Sequence, residues 1–319
     1  MADLYPIVES FAGGSLDVGD GNHIHWEASG NPHGKPAVLF HGGPGQGSAP
    51  GMRRGFDPER YLVVMFDQRG CGRSTPHASD PATDMSLNTT GHLIADTERL
   101  REHLAIDRWL VCGGSWGSTL GLAYAQAHPE RVTEIVLIAI TTSRRSETDW
   151  LYRGLGMFFP EAFERFRAAV PEAREDRDLP AAYARRMESP DPAVRAAAAR
   201  AWSEWEDTVL SLEPMARPGF GGPAGPDLDA IVRICAHYSM HGAWLEEGQL
   251  INDAGKLAGI PGVLIHGRRD LSCPAATAFE LAAAWPDARL LIDDQTGHRG
   301  GPGIKREWLL SALDGFARE

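Results

Sequence analysis

The chain has 319 residues, 43% of them hydrophobic and 23% charged, with a formal net charge of −12 at pH 7. That length and apolar content suit one large soluble core, or a core with an inserted subdomain. The acidic balance excludes binding along a phosphate backbone, which needs clustered Lys and Arg, so no nucleic-acid partner is expected.

Cys71, Cys112, Cys235 and Cys273 are widely separated and form no C-x-x-C pair. This fits neither a zinc site nor a disulfide framework, so reduced cysteines and no metal are expected. The opening MADLYPIVES lacks the basic and apolar regions of a secretory signal, and no apolar run reaches the length of a membrane span. A cytoplasmic protein without a membrane partner is the expectation.

In chain order, short β-branched and aromatic runs fall at residues 23–28, 37–40, 61–66, 109–112, 135–140, 262–266 and 288–292. Helical patterns lie between several of them. Residues 90–104 place Leu93, Ile94, Thr97, Leu100, Arg101 and Leu104 on one mostly apolar stripe, and 118–128, 275–285 and 306–316 read as further helices. Buried strands alternating with helices predict an α/β fold, a mostly parallel sheet covered on both faces. The rhythm stops after Ile140. From 141 to 253 the chain is helical and rich in Ala, Arg and Glu, as in PDPAVRAAAARAWSEWEDTVLSL, followed by a loop in ARPGFGGPAGPDLD. Three segments are expected: 1–140 and 254–319 as two parts of one core, and 141–253 as a helical cap over the sheet's carboxyl edge.

Within this frame VCGGSWGSTLG carries the chemistry. Gly113-Gly114-Ser115-Trp116-Gly117 fits G-x-S-x-G, between a predicted strand and a predicted helix, which is the context that a nucleophile elbow requires. A serine at a sharp strained turn needs neighbours without side chains. The turn projects its hydroxyl from the sheet edge, near helix-start amides that favour developing negative charge. Ser118, inside the helix start, is the poorer nucleophile.

A serine needs a base. Among twelve histidines, His298 stands in the loop LLIDDQTGHRGG after the last predicted strand. The order Ser, acid, His expected of an α/β hydrolase puts the acid between them, at a strand end. VLIHGRRDLSCP supplies Asp270; Asp293 and Asp294 stand too close to His298 in sequence, and His266 reads as packed. The candidate triad is Ser115, Asp270 and His298. Trp116 N–H is one expected oxyanion donor, and LFHGGPGQGS supplies the second, from Gly43 or alternatively Gly42. That loop lacks the G-K-S/T of a nucleotide site. FDQRGCGRST, with Asp67 and Arg69, reads as a structural turn.

Together HGGPG, DQRGCGRSTP, GGSWGSTLGLAYAQAHPERV, IPGVLIHGRRDLSCP and the final GH resemble the proline iminopeptidase (prolyl aminopeptidase) family of α/β hydrolases, over nearly the whole chain. The resemblance implies a cofactor-free serine peptidase that removes an N-terminal residue, typically proline, from a small peptide or aminoacyl substrate. It puts the triad on Ser115, Asp270 and His298 and the oxyanion donors on Trp116 and the His41–Gly45 loop. It also implies cap glutamates that hold the substrate ammonium. Glu206 in AWSEWED matches one; Cys235 in RICAHYSM stands where a second would be.

Two further departures are Thr141, in place of an aromatic that encloses the proline ring, and HRGGPG after the histidine. Glu204, Glu246 and Glu247 are candidate replacements for the missing carboxylate, and Trp150, Trp202, Trp205 and Trp244 are candidate pocket or packing residues. The departures motivate a second reading, an amidase, esterase or processing peptidase for a non-prolyl small molecule. A third, a non-enzymatic binding protein on this fold, is disfavoured because serine, acid and histidine are all present in order.

Overall fold

The computed structural model describes residues 3–173, 178–213, 219–299 and 303–318. Eight strands form one sheet: β1 (Ser10–Gly19), β2 (Asn22–Gly30), β3 (Lys35–Phe40), β4 (Tyr61–Phe66), β5 (Trp109–Ser115), β6 (Val132–Ile140), β7 (Gly262–Gly267) and β8 (Ala288–Asp293). Their order is β1-β2-β4-β3-β5-β6-β7-β8. β1 pairs antiparallel with β2, and β2 with β4; β4, β3 and β5 to β8 run parallel. This is the α/β arrangement expected from the alternating pattern.

The seven runs read as strands all lie in the sheet, and the central ones, β3 to β7, are short apolar stretches buried between layers. β1 was not anticipated. Its sequence SFAGGSLDVG has two adjacent glycines and an alternating half-buried pattern, as suits a sheet edge. The signal for it lay in the next two residues. Asp20 and Gly21 both take positive φ, 56° and 74°, between the paired Gly19 and Asn22. Asp-Gly in a two-residue loop matches the twist of a hairpin.

Helices α1 (Thr90–His103) and α2 (Trp116–Ala127) pack on one sheet face. Leu93, Leu100, Leu120, Leu122 and Tyr124 meet Val38, Val111 and Leu137 there. The opposite face carries Tyr61, Met65, Leu110 and Ile265 against Leu313 of the C-terminal helix Ile304–Phe316.

Between β6 and β7 come α3 (Arg145–Tyr152), α4 (Pro160–Ala168), α5 (Leu179–Met187), α6 (Pro192–Leu210) and α7 (Pro226–Met240). They share a separate apolar cluster whose centre is aromatic: the Phe166 ring stacks on Tyr183 at 4.6 Å and on Trp205 at 5.4 Å. α7 has two apolar faces. Ile231 and Cys235 belong to this helical cluster, whereas Ile234 and Tyr238 belong to the sheet core, as a helix sandwiched between two layers requires. Of the loop expected over 216–229, residues 216–218 lie outside the described residues, and α7 begins already at Pro226. No helix among the described residues is long and apolar enough to cross a membrane.

One buried ion pair ties β4's exit turn to α1. Arg69 Nε and Nη2 donate to Asp96 Oδ2 and Oδ1, both at 2.7 Å, with both side chains almost inaccessible. Nη1 and Nη2 also donate to the Leu87 and Val18 carbonyls. Removing one partner of such a pair leaves the other charge buried alone. Asp96→Ala is therefore expected to lower unfolding free energy by about 3–5 kcal/mol in urea titration. Exchanging both residues for apolar ones of similar volume should cost much less, and equal losses would contradict this account.

Candidate active site

The parallel strands present their carboxyl ends at one edge, where ligands bind in open α/β sheets. The site is assembled there from five exits: Gly42–Gly43 after β3, Ser115 ending β5, Thr141 after β6, Asp270 after β7 and His298 after β8.

Ser115 has φ 55° and ψ −128°, a strained conformation for a non-glycine residue. It is the residue before α2, yet its side chain makes no capping hydrogen bond. The bend is tolerated because backbone passes backbone closely on either side. A Cβ on Gly117 would lie 2.5 Å from the Phe40 carbonyl oxygen, and one on Gly113 would collide with the Gly117 carbonyl. Ser118 is occupied: its hydroxyl donates to the Ser115 carbonyl at 2.7 Å and accepts the Thr141 N–H at 3.1 Å.

His298 Nδ1 lies 2.9 Å from Asp270 Oδ2. The other carboxylate oxygen accepts the Cys273 N–H at 2.8 Å, so both oxygens are held. Burial works against a charged imidazole, but the charge and hydrogen bond of Asp270, with Glu213 adding, hold His298 above the ordinary histidine value; Lys305 opposes them. The rival acids are turned away, Asp293 to the Gln295 N–H and Asp294 to Arg268. His266 is fully buried, accepting the Ile140 N–H on Nδ1 and donating from Nε2 to the Cys273 carbonyl at 2.7 Å.

The loop after β3 is braced from below. Gln68 N–H donates to His41 Nε2 at 3.1 Å, which leaves Nδ1–H to donate to the Gly42 carbonyl at 2.9 Å. Burial depresses the His41 pKa and keeps this tautomer neutral. Gln68 also accepts from Trp116 Nε1 at 2.8 Å, linking the loop to the elbow. Asp67 takes the Ser48 N–H and hydroxyl and the Arg73 N–H and guanidinium, a structural use of that turn.

A cavity of about 760 Å³ collects these parts, within the range of small-molecule sites. Ser115, His298, Gly43 and Trp116 line it, as do Glu206, Thr141 and Cys235. Gly42 passes behind: a Cβ there would sit 3.5 Å from Ser115 Cβ. Trp150 stands outside the lining. Its indole N–H donates to the Leu271 carbonyl at 2.7 Å and its ring packs on Phe158. Trp202 and Trp205 lie in the helical core, and Trp244 stacks on His241. Glu204, Glu246 and Glu247 are exposed, and Glu247 accepts the Arg145 N–H.

Glu206 is buried and accepts from Tyr152 Oη at 3.0 Å. Desolvation pushes its pKa up to about 7, against the Tyr152 hydrogen bond and the His298 charge. Cys235 donates to the Pro44 carbonyl at 3.2 Å, and burial, with the Glu206 charge, raises its pKa well above that of a free thiol. Tyr152 and Glu147, not anticipated from sequence, also line the cavity. Glu147 is committed to Thr142 N–H and Oγ1, Arg144 N–H and Thr277 Oγ1, which pins the start of the helical block to the core helix Ala275–Ala284. Among the described residues, the group close enough to hold a metal ion is Asp270, Cys273 and His298, with ligand atoms within 4.8 Å of one another. It contains the acid–histidine pair itself.

Residues 35–300 match the α/β hydrolase fold family. A probable proline iminopeptidase of Streptomyces coelicolor is 52% identical over 99% of this chain and 98% of its own length. The proline iminopeptidase of Xylella fastidiosa is 47% identical over 99% and 100%. The chain belongs to the proline iminopeptidase family of α/β hydrolases. These relatives bear out the resemblance that the motifs carry over nearly the whole chain. A solved proline iminopeptidase from Mycobacterium smegmatis, only 19% identical, shares the fold over 96% of this chain with a TM-score of 0.59 and covers 99% of its own length.

Gly117→Ala, with backbone oxygens at 2.5 and 3.1 Å from the new methyl, is expected to cost about 1–3 kcal/mol of stability by overpacking. Gly114→Ala meets nothing closer than 3.5 Å and should melt near the parent. Equal melting temperatures for the two variants would refute the close-packed elbow.

Proposed function

We propose that the chain is a serine aminopeptidase that hydrolyses the N-terminal aminoacyl bond of small peptides, typically after proline. The observation that carries this reading is the sharing of one cavity by Ser115, the Asp270–His298 pair and the buried carboxylate of Glu206. His298 takes the Ser115 proton as the hydroxyl attacks the first residue's carbonyl. Asp270 fixes the ring and stabilises its charged form. The amides of Trp116 and Gly43 receive the oxyanion, worth about 2.7–4 kcal/mol per donor in comparable sites. His298 then gives the proton to the leaving amine, and water releases the acyl group.

Glu206 holds the substrate ammonium, and Tyr152 orients it. A desolvated charge pair of this kind rejects internal peptide bonds, whose nitrogen bears no charge. Residues 141–253 act as the cap, with 1–140 and 254–319 as the catalytic core. The unpaired, buried cysteines fit a reducing compartment such as the cytoplasm.

A second reading keeps the chemistry and changes the substrate to a non-prolyl amide or ester. Cys235 and Thr141 favour it, since each lines the cavity without supplying a charge or a ring. So does a neighbouring cleft of about 1110 Å³ that shares Ser143, Thr148, Tyr152 and Ser239 with the site, leaving the amine end open.

Chromogenic aminoacyl substrates separate the two. The first reading expects selective prolyl cleavage; a preference for non-prolyl or amine-free substrates supports the second. Glu206→Gln should abolish most aminoacyl hydrolysis and spare an ester that has no amine. Because the Glu206 carboxyl carries a pKa near 7, it becomes neutral as pH falls through that value. KM for aminoacyl substrates is expected to rise below pH 7 while KM for the ester stays flat. A parallel response of both would remove Glu206 from the amine site.

A further inference from the structure

Residues 294–299, which carry His298, form no helix or strand. A base borne on such a segment must be fixed by other groups. Two buried charges do this from different parts of the molecule. Glu213, just beyond α6 in the helical block, accepts the His298 N–H through Oε1 and the Arg299 N–H through Oε2, the latter at 3.1 Å. From the C-terminal helix, Lys305 Nζ donates to the Gly297 carbonyl at 2.5 Å and the Arg299 carbonyl at 3.3 Å. Glu213 is 7% exposed and Lys305 4%. A carboxylate on two consecutive amides is a charge-assisted clamp, stronger than its neutral counterpart.

Gly297 makes room for the clamp. Its backbone lies outside the left-handed region, so glycine is needed there for space. A Cβ would collide with Glu213 Oε1, Cδ and Cγ, the far end of a side chain that can be displaced.

We infer that Glu213 is a positioning residue, a carboxylate supplied by the helical block that fixes the backbone of His298 and adds negative charge beside its ring. The histidine is then correctly held only while the block is seated on the core, which couples the block's position to catalysis. This rests on the reading of His298 as the general base. Among the described residues, the charged or titratable groups around the ring include Asp270, Glu206, His266, Cys273, Lys305 and Glu213, with Arg299 beside it in the cavity lining. Of these, Glu213 is the one that grips the histidine's own N–H.

Glu213→Gln keeps the shape, removes the charge and can accept only one of the two amides. Loss of ring placement is expected to lower kcat roughly ten- to hundredfold with little change in KM. Fluorophosphonate modification of Ser115, which needs the histidine but no substrate amine, should slow by a similar factor. With less negative charge beside it the imidazole is less easily protonated, so the acid limb of kcat/KM for an ester that has no amine should move to lower pH.

Gly297→Ala expels the carboxylate without altering Glu213 and should give the same fall in kcat. The double variant should be no worse than the poorer single one, because both break one contact. Wild-type kcat with an unmoved acid limb in Glu213→Gln, or a rise in KM alone, would overturn the inference, as would full activity in Gly297→Ala. His298→Ala tests the underlying reading separately: if it stays active, His298 is not the base, whatever Glu213 does.

Discussion

The site depends on one backbone constraint, the bend at Ser115 between a central buried strand and the first turn of α2. At φ 55° that residue is held where a side-chain-bearing residue is rarely found. Its own side chain makes no capping hydrogen bond. The bend is imposed by β5, buried on both faces, by α2 packed across the sheet, by the β3 exit crossing so closely that position 117 admits no side chain, and by the Gly117 backbone, which excludes one at 113. The same crowding brings the glycine loop, the helix-start amides and the hydroxyl into one small volume. Strain at a functional site is sustained by such surrounding structure.

Around the bend, charge is arranged in layers. Asp270 is dry and has each carboxylate oxygen occupied, which leaves it one function toward His298. His298 in turn faces carboxylates from the core and from the helical block. Glu206 is the opposite case: it is buried beside the Tyr152 hydroxyl, and burial dominates its protonation. An arriving ammonium would pair with its carboxylate. On the proposed reading, two carboxylates in neighbouring environments take different tasks, one orienting an imidazole and the other receiving a cation.

Local pattern made much of this legible. The parallel strands announce themselves as short apolar runs, and the elbow by its glycines after one of them. Asp270 and His298 stand at successive strand exits, and the structure brings them to 2.9 Å. β1 escaped notice because two glycines hid its alternation, although Asp20-Gly21 marked the hairpin. Glu147 and Glu213 gave no local sign, since each acts across the boundary between the helical block and the core, and Tyr152 gave none because its partner, Glu206, lies 54 residues away. A buried glutamate and a solvated one look alike in a helical sequence; only the fold separates Glu206 from Glu204. Trp150 illustrates the reverse, an aromatic near the site that secures a loop carbonyl instead of facing a ligand.

The account stands on Ser115 being the nucleophile that His298 activates. The most direct test is peptide mapping by mass spectrometry after treatment with a fluorophosphonate, compared between the parent chain and Asp270→Asn. The account predicts a single stoichiometric adduct on Ser115, formed far more slowly in the variant. An unmodified Ser115, or an adduct that forms equally fast without the aspartate, would contradict it.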